Sequence, residues 1–232
     1  GQLDQNFGDG GKIILSNSGV IGDVLAIAIQ DNGQIVLGGP GDGIPRRYNV
    51  DGTKDKSFAA TNQTSKLNNI RSMAIQPGGK IVVAGRTWVE SATSAGFGLA
   101  RYLSDGTLDA SFGDSGNVIT TFGTIESLPY SIATQKDGKI VAAGSVGIGW
   151  VGHKERRNFA VVRYTPDGDL DPSFGDGGVS ETYIPEESEA QALAIQEDGN
   201  LVVVGYSRDR GDNSGQQKKA LLALARYYGA IE

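Results

Sequence analysis

The stretch SIATQKDGKIVAAG, Ser131 to Gly144, decides the fold because the chain repeats it. Its other copies are AIAIQDNGQIVLGG (Ala26 to Gly39), SMAIQPGGKIVVAG (Ser72 to Gly85) and ALAIQEDGNLVVVG (Ala192 to Gly205). Each copy is an apolar run ending in Gln, a tight turn, and a second apolar run ending in Gly. The turns Asp31-Asn32-Gly33, Pro77-Gly78-Gly79, Asp137-Gly138 and Asp198-Gly199 supply the positive-φ residues of β-hairpins.

Outward from this hairpin the unit is longer. A Gly-Asp-rich segment opens it: GQLDQNFGDGG at Gly1, DGTKDKSFAA at Asp51, DGTLDASFGDSG at Asp105 and DGDLDPSFGDGG at Asp167. A strand-like run follows, such as Lys12 to Ser16 or Asn117 to Phe122. A variable loop leads to the hairpin, and a second variable loop leads to a run ending in Arg-Tyr at Arg47, Arg101, Arg163 and Arg226. The period is roughly 46–62 residues. Four short strands per unit at this spacing predict an all-β, four-bladed β-propeller with four antiparallel strands per blade, because radial stacking buries both faces of each sheet. A single domain over 1–232 is expected, with blades at about 1–50, 51–104, 105–166 and 167–232. The last unit lacks a following LDxSFG segment, which Leu3 to Gly8 can supply. The ring is therefore expected to close between N- and C-terminal segments as a monomer; part of a larger ring or a paired assembly is the alternative.

Composition narrows the function classes. Thirty-five glycines suit short strands and tight turns, and no segment has helical periodicity. A net charge of −6 without a basic block argues against nucleic acid and anionic lipid. The absence of cysteine removes thiolate chemistry and Cys metal ligands. No apolar run reaches the ~20 residues of a bilayer span, so no membrane insertion is expected, and no signal-peptide pattern is expected within these residues. No serine-hydrolase elbow, zinc-protease motif or P-loop occurs. Asp167-Gly-Asp-Leu-Asp171 imitates the start of a calcium loop, but its sixth position is Pro172 and its twelfth Gly178. No metal, cofactor or catalytic residue is assigned.

The pattern D-G-x-L-D-x-S-F-G, then A-x-Q-x-D-G-K-I-V-V-A-G and a run ending A-x-x-R-Y, resembles the delta-60 repeat, a bacterial repeat grouped with β-propellers of unknown function. Asp105 to Gly113 with Ala133 to Gly144, and Asp167 to Gly175 with Ala194 to Gly205, carry it best. Lys54 and Ala59 in the second unit and Asn6 in the first depart from it. The resemblance implies a secreted or cell-surface protein and no particular activity.

The four copies separate scaffold from function. Groups present in every unit are expected to serve the blade: each Arg of the Arg-Tyr run pairs with Asp4, Asp55, Asp109 or Asp171, and Phe7, Phe58, Phe112 and Phe174 plug the core. Strand order places all Asp-Gly turns on one face and all variable loops on the other, where a rigid scaffold presents binding residues. The tryptophans Trp88 and Trp150 occupy equivalent loops there and offer platforms for sugar rings or cations. His153, Arg156, Arg208 and Asp209 complete the candidate ligand-binding set; Glu186, Glu187 and Glu189 are expected to make the opposite part of this face acidic. The expected function is a non-catalytic binding module with a carbohydrate or protein partner on the loop face. The alternatives are a structural or protein-interaction platform without a small ligand and, less favoured, a glycosidase-type hydrolase using carboxylates such as Glu90, Glu155, Asp209 or Asp212.

Overall fold

The computed structural model describes residues 1–14, 24–41, 43–59, 65–87, 96–122, 126–151, 154–185, 187–208 and 220–229. The architecture is all-β, with four antiparallel sheets. The first contains β1 (Ala26–Ile29), β2 (Ile35–Gly38) and β3 (Arg46–Tyr48). The second contains β4 (Ser72–Ile75), β5 (Ile81–Arg86), β6 (Phe97–Tyr102) and β7 (Asn117–Thr120). The third contains β8 (Ser127–Thr134), β9 (Ile140–Val151), β10 (Lys154–Tyr164) and β11 (Val179–Thr182). The fourth contains β12 (Glu187–Ile195), β13 (Leu201–Arg208) and β14 (Ala220–Tyr227). No helix among the described residues is long and apolar enough to cross a membrane.

The repeated hairpin forms the same turn four times. The amide of Gln30, Gln76, Gln135 or Gln196 donates to the carbonyl of Gln34, Lys80, Lys139 or Asn200, at 2.8 to 2.9 Å. The glycine inside each turn has φ between 81° and 85°, a conformation nearly closed to other residues.

Strand membership differs from expectation in one respect. Asn117–Thr120, expected to open its own blade, pairs with β6 of the sheet before it, and Val179–Thr182 pairs with β10 in the same way. Each full sheet is thus a hairpin, its Arg-Tyr strand, and the opening run of the next unit. The linkage ties successive sheets together and covers the open edge of the Arg-Tyr strand. The expected four strands per blade are present in two sheets; among the described residues the first and fourth have three.

The sheets stack in sequence order. Val82, Ala84, Phe97 and Leu99 of the second face Ile140, Ala142, Ala160 and Val162 of the third, and Val141, Ala143, Phe159 and Val161 face Ala190, Leu201, Val203 and Ala223 of the fourth. The first packs on the second through Ala26, Val36, Met73 and Ile81.

A polar joint on the turn face locks each stack. Arg101 is buried; its Nε lies 2.8 Å from Asp109 Oδ2, its Nη1 donates to the Pro166 carbonyl of the next unit, and its guanidinium stands 4.6 Å over the Phe112 ring. The other oxygen of Asp109 accepts from the Ser111 amide and hydroxyl. Arg47 with Asp55, Phe58 and Ser104, and Arg163 with Asp171, Phe174 and Gly229, repeat the arrangement. The Asp-x-Ser-Phe and Arg-Tyr motifs are therefore one device, in which a bidentate-capable guanidinium crosses from one sheet to the next.

The joint sets an acid limit. The Ser57 hydroxyl and amide, with Arg47, hold Asp55 down at about 2 against an opposing effect of burial. Burial alone would raise Asp109 and Asp171, but hydrogen bonds from lysine and serine and the neighbouring arginine charge outweigh it, and both lie well below the carboxylate range. A carboxylate depressed in the folded state adds stability above its unfolded pKa, about 4, and loses it as pH falls through the folded value. The urea midpoint is expected to be level between pH 5 and 7 and to drop steeply below about pH 4. A midpoint unchanged down to pH 2.5 would contradict this account.

The fourth copy of the joint is not made. Asp4 and Arg226 are both exposed, and the first and fourth sheets do not pack on one another among the described residues. The expected closure of the ring between the chain's two ends is not seen.

Candidate functional site

Strand directions place the ends of β5, β9 and β13 and the starts of β4, β8 and β12 on the face of the variable loops. There the first strands of successive sheets lie edge to edge. Ser72 Oγ accepts from the Ile132 amide at 3.0 Å, and Ser131 Oγ accepts from the Leu193 amide at 3.1 Å. The residue just before each repeated stretch is Leu25, Arg71, Tyr130 or Gln191, so this one structural position carries four chemistries.

Two of these side chains are aimed by bulges. Register shifts between Pro129 and Ser131 and between Ala190 and Ala192 leave Tyr130 and Gln191 as extra residues. Such bulges bend the strand and redirect a side chain. The Arg71 guanidinium lies 4.9 Å over the Tyr130 ring. Gln191 Nε2 donates to Glu189 Oε2 at 3.1 Å, and the same carboxylate acts on the Tyr130 and Tyr206 phenols. Burial, reinforced by Glu189, pushes both phenols above their usual range. At neutral pH they are therefore neutral hydrogen-bonding groups, not nucleophiles or bases.

The network extends on both sides of Glu189. Arg157, buried, has Nη1 3.9 Å from Glu189 Oε1 and Nη2 3.4 Å from Glu126 Oε2, and Glu126 Oε1 lies 2.8 Å from Arg86 Nη2. Arg208 Nε is 3.5 Å from Glu187 Oε2, and its guanidinium lies 5.2 Å over the Tyr206 ring. Each of Glu126, Glu187 and Glu189 is held by an arginine. Among the described residues, Asn68 Oδ1, Arg71 Nε, Thr87 Oγ1 and Asn158 Oδ1 are buried toward this end of the sheets without a hydrogen-bond partner.

The sequence-expected site residues divide into three groups. Trp150 is 64% exposed near the tip of the β9–β10 hairpin, with Arg156 across from Gly149 on the opposing strand. Arg208 joins the network through Glu187 and Tyr206. Trp88, His153 and Asp209 lie outside the described residues.

Two expectations about this face change. The segment from Ser145 to Asn158, expected as a loop, is mostly a two-stranded extension of the third sheet, because β9 continues to Val151 and β10 begins at Lys154. Val146 is the last β9 residue paired with β8, so Trp150 stands four residues, about 13 Å, beyond that level. Glu187 and Glu189, expected as an exposed acidic patch, are buried in β12 against Arg208, Arg157 and the tyrosines. Arg71, Tyr130, Gln191, Tyr206 and Glu126 were not anticipated; the divergence of the four equivalent positions Leu25, Arg71, Tyr130 and Gln191 was the available signal.

Among the described residues no group of three or more His, Asp or Glu is placed to hold a metal ion. On the opposite face, a cleft of about 270 Å³ between the second and third sheets is lined by Gln76, Lys80, Arg101, Lys136, Asp137 and Asp167. Arg101 and Lys80 there are engaged with Asp109, so the cleft is the outer side of the joint.

The profile of a beta-propeller domain of unknown function (DUF5122) matches residues 76–112 and 135–174, the hairpin through the Asp-x-Ser-Phe segment in two successive units. A search of curated proteins finds no match. Among solved structures, a putative gluconolactonase aligns over 89% of this chain and 75% of its own, at 13% identity and a TM-score of 0.37. A gluconolactonase from Xanthomonas campestris aligns over 87% and 71%, at 13% identity and a TM-score of 0.35. A protein of unknown function from Dyadobacter fermentans aligns over 87% and 65%, at 10% identity and a TM-score of 0.44. Along the two profile-matched stretches, then, this chain is similar to a β-propeller family to which no function is attached.

Proposed function

We propose that the protein is a non-catalytic binding module of an exported or surface protein, built from delta-60-type repeats, that holds a polyhydroxylated ligand of carbohydrate class on its variable-loop face. The observation that carries this reading is the exposed Trp150, raised on a hairpin on the face that also gathers Tyr130, Gln191, Glu189 and Tyr206. A flat indole standing above neutral phenols and an amide on one face suits an extended saccharide, whose sugar rings offer apolar faces and rims of hydroxyls. The arginine partners of Glu126, Glu187 and Glu189 favour binding over acid–base hydrolysis. The exported setting rests on the repeat resemblance alone.

The test is a glycan array probed with the labelled chain beside Trp150→Ala and Tyr130→Phe. Trp150→Ala is expected to weaken any glycan hit at least tenfold, about 1.4 kcal/mol, with the circular dichroism spectrum unchanged. A hit that survives Trp150→Ala intact would displace the site, and no hit at all would leave a protein-interaction platform as the better reading.

A further inference from the structure

The two outward sheet faces are halves of the joint that the chain makes between its own sheets. On the fourth sheet, Leu222 and Leu224 are 81% and 69% exposed, whereas Phe97 and Leu99, and Phe159 and Val161, at the same repeat positions, are fully buried at 0%. Val202 and Val204 are half-exposed where Val82, Ala84, Val141 and Ala143 are covered. Arg226 and Gln196 are exposed where Arg101 and Gln76 reach across to the next unit. On the first sheet, Ile27 and Ile29 are 62% and 65% exposed, at the repeat positions by which Met73 and Ile75 pack back on the preceding sheet. Beside it, the segment from Leu3 to Ile14 carries the matching polar half. Asp4 already accepts from the Asn6 amide, as Asp55 does from Ser57, but has no arginine partner among the described residues, and Ile14 is exposed. Gly8 donates to Asp51 just as Gly113 donates to Asp167, which sets this segment in the position of a linking strand, and among the described residues it pairs with no other sheet.

We propose that a second copy of this chain fills both faces head to tail. The 12–14 run of one copy extends β14 of the other, Asp4 receives the partner's Arg226, and Ile27 and Ile29 cover the partner's Leu222 and Leu224. Charge and shape complementarity come from the repeat itself, since the faces that meet are those that meet three times within the chain. One copy leaves both faces open at once, and a second copy presents to each the face that it lacks. The contact is heterologous, so two copies that donate to each other form a closed ring with no open face. The sequence favours a monomer and keeps a paired assembly as an alternative; the proposal is the paired assembly.

The test uses the 232-residue chain in light scattering across a concentration series. A mass of two chains is expected, falling to one chain in Leu222→Lys/Leu224→Lys, whose changes sit on an exposed surface and leave the monomer's circular dichroism unchanged. A cysteine pair identifies the joint directly, because the chain has no cysteine of its own. Leu99 lies opposite Val118 across β6 and β7, and Leu224 and Ile13 hold those repeat positions. Oxidised Ile13→Cys/Leu224→Cys is expected to run as a cross-linked dimer on a non-reducing gel. A chain of monomer mass at every concentration, or a disulfide formed within one chain, would overturn the proposal, the latter in favour of a ring closed by a single copy.

Discussion

Replacing Arg101 with alanine is expected to lower the unfolding free energy by about 3–5 kcal/mol, read from urea denaturation at pH 7. The guanidinium is buried and engages the Asp109 carboxylate, the Pro166 carbonyl of the next unit and the Ser111 hydroxyl, with Gln76 Oε1 and Asp167 Oδ1 each at 3.5 Å, while its plane covers Phe112. Removing it strands a buried carboxylate beside an uncovered ring and deletes the cross-sheet hydrogen bond. Asp109 would retain Lys80 at 2.8 Å, which sets the lower end of the range. Arg101→Lys is expected to fall between, because an ammonium keeps the charge but cannot span carboxylate and carbonyl with one planar fork. In the Leu222→Lys/Leu224→Lys background, Arg226→Ala supplies the control: the same repeat position, its joint open, at a cost under about 0.5 kcal/mol. A loss below 1 kcal/mol at Arg101 would mean that apolar stacking alone holds the sheets and the Arg–Asp–Phe device is incidental.

The same comparison shows why some of the molecule was legible in its sequence. The hairpins were readable because Gln-x-x-Gly turns encode a local conformation, and Arg101 with Asp109 was readable because both recur. Sheet membership was harder: Asn117–Thr120 is adjacent in sequence to its own unit's segment, yet hydrogen-bonds to β6. Periodicity reports that a strand exists but not which edge it joins. The site was harder still. Glu187 and Glu189 look like surface charges until Arg208 and Arg157 are brought against them from other strands, and Tyr130 looks like part of a loop until a bulge turns it toward Glu189. Trp150 was identified by its rarity, but its height above the sheet follows from the unbroken β9–β10 pairing, which no composition rule predicts.

Gly144→Ala is expected to destabilise the protein by about 3 kcal/mol, the upper part of the usual range for overpacking, and to weaken any loop-face ligand in the fraction that folds. Gly144 pairs with Pro129 at the edge of the Tyr130 bulge. A Cβ there would run into the backbone carbonyl of Leu128 and stand 2.8 Å from Phe97 Cζ of the neighbouring sheet. Gly85 faces the Asn69 carbonyl and Gly205 the Glu189 carbonyl in the same way, which explains why these stretches end in glycine. The requirement is one of space, since Gly144 is not among the glycines with positive φ. Gly138→Ala separates the two causes: it sits at φ 85° in the turn, and its nearest neighbour would be Pro166 Cγ at an ordinary 3.5 Å. Its cost is expected to be about 1–2 kcal/mol, the left-handed backbone penalty, with binding unaffected. If Gly138→Ala proved the more damaging, backbone conformation would be the constraint on the repeat. The ordering expected here instead makes Gly144 the floor on which the bulge rests, so that one methyl group forces the Leu128 carbonyl away and carries Tyr130 out of reach of Glu189.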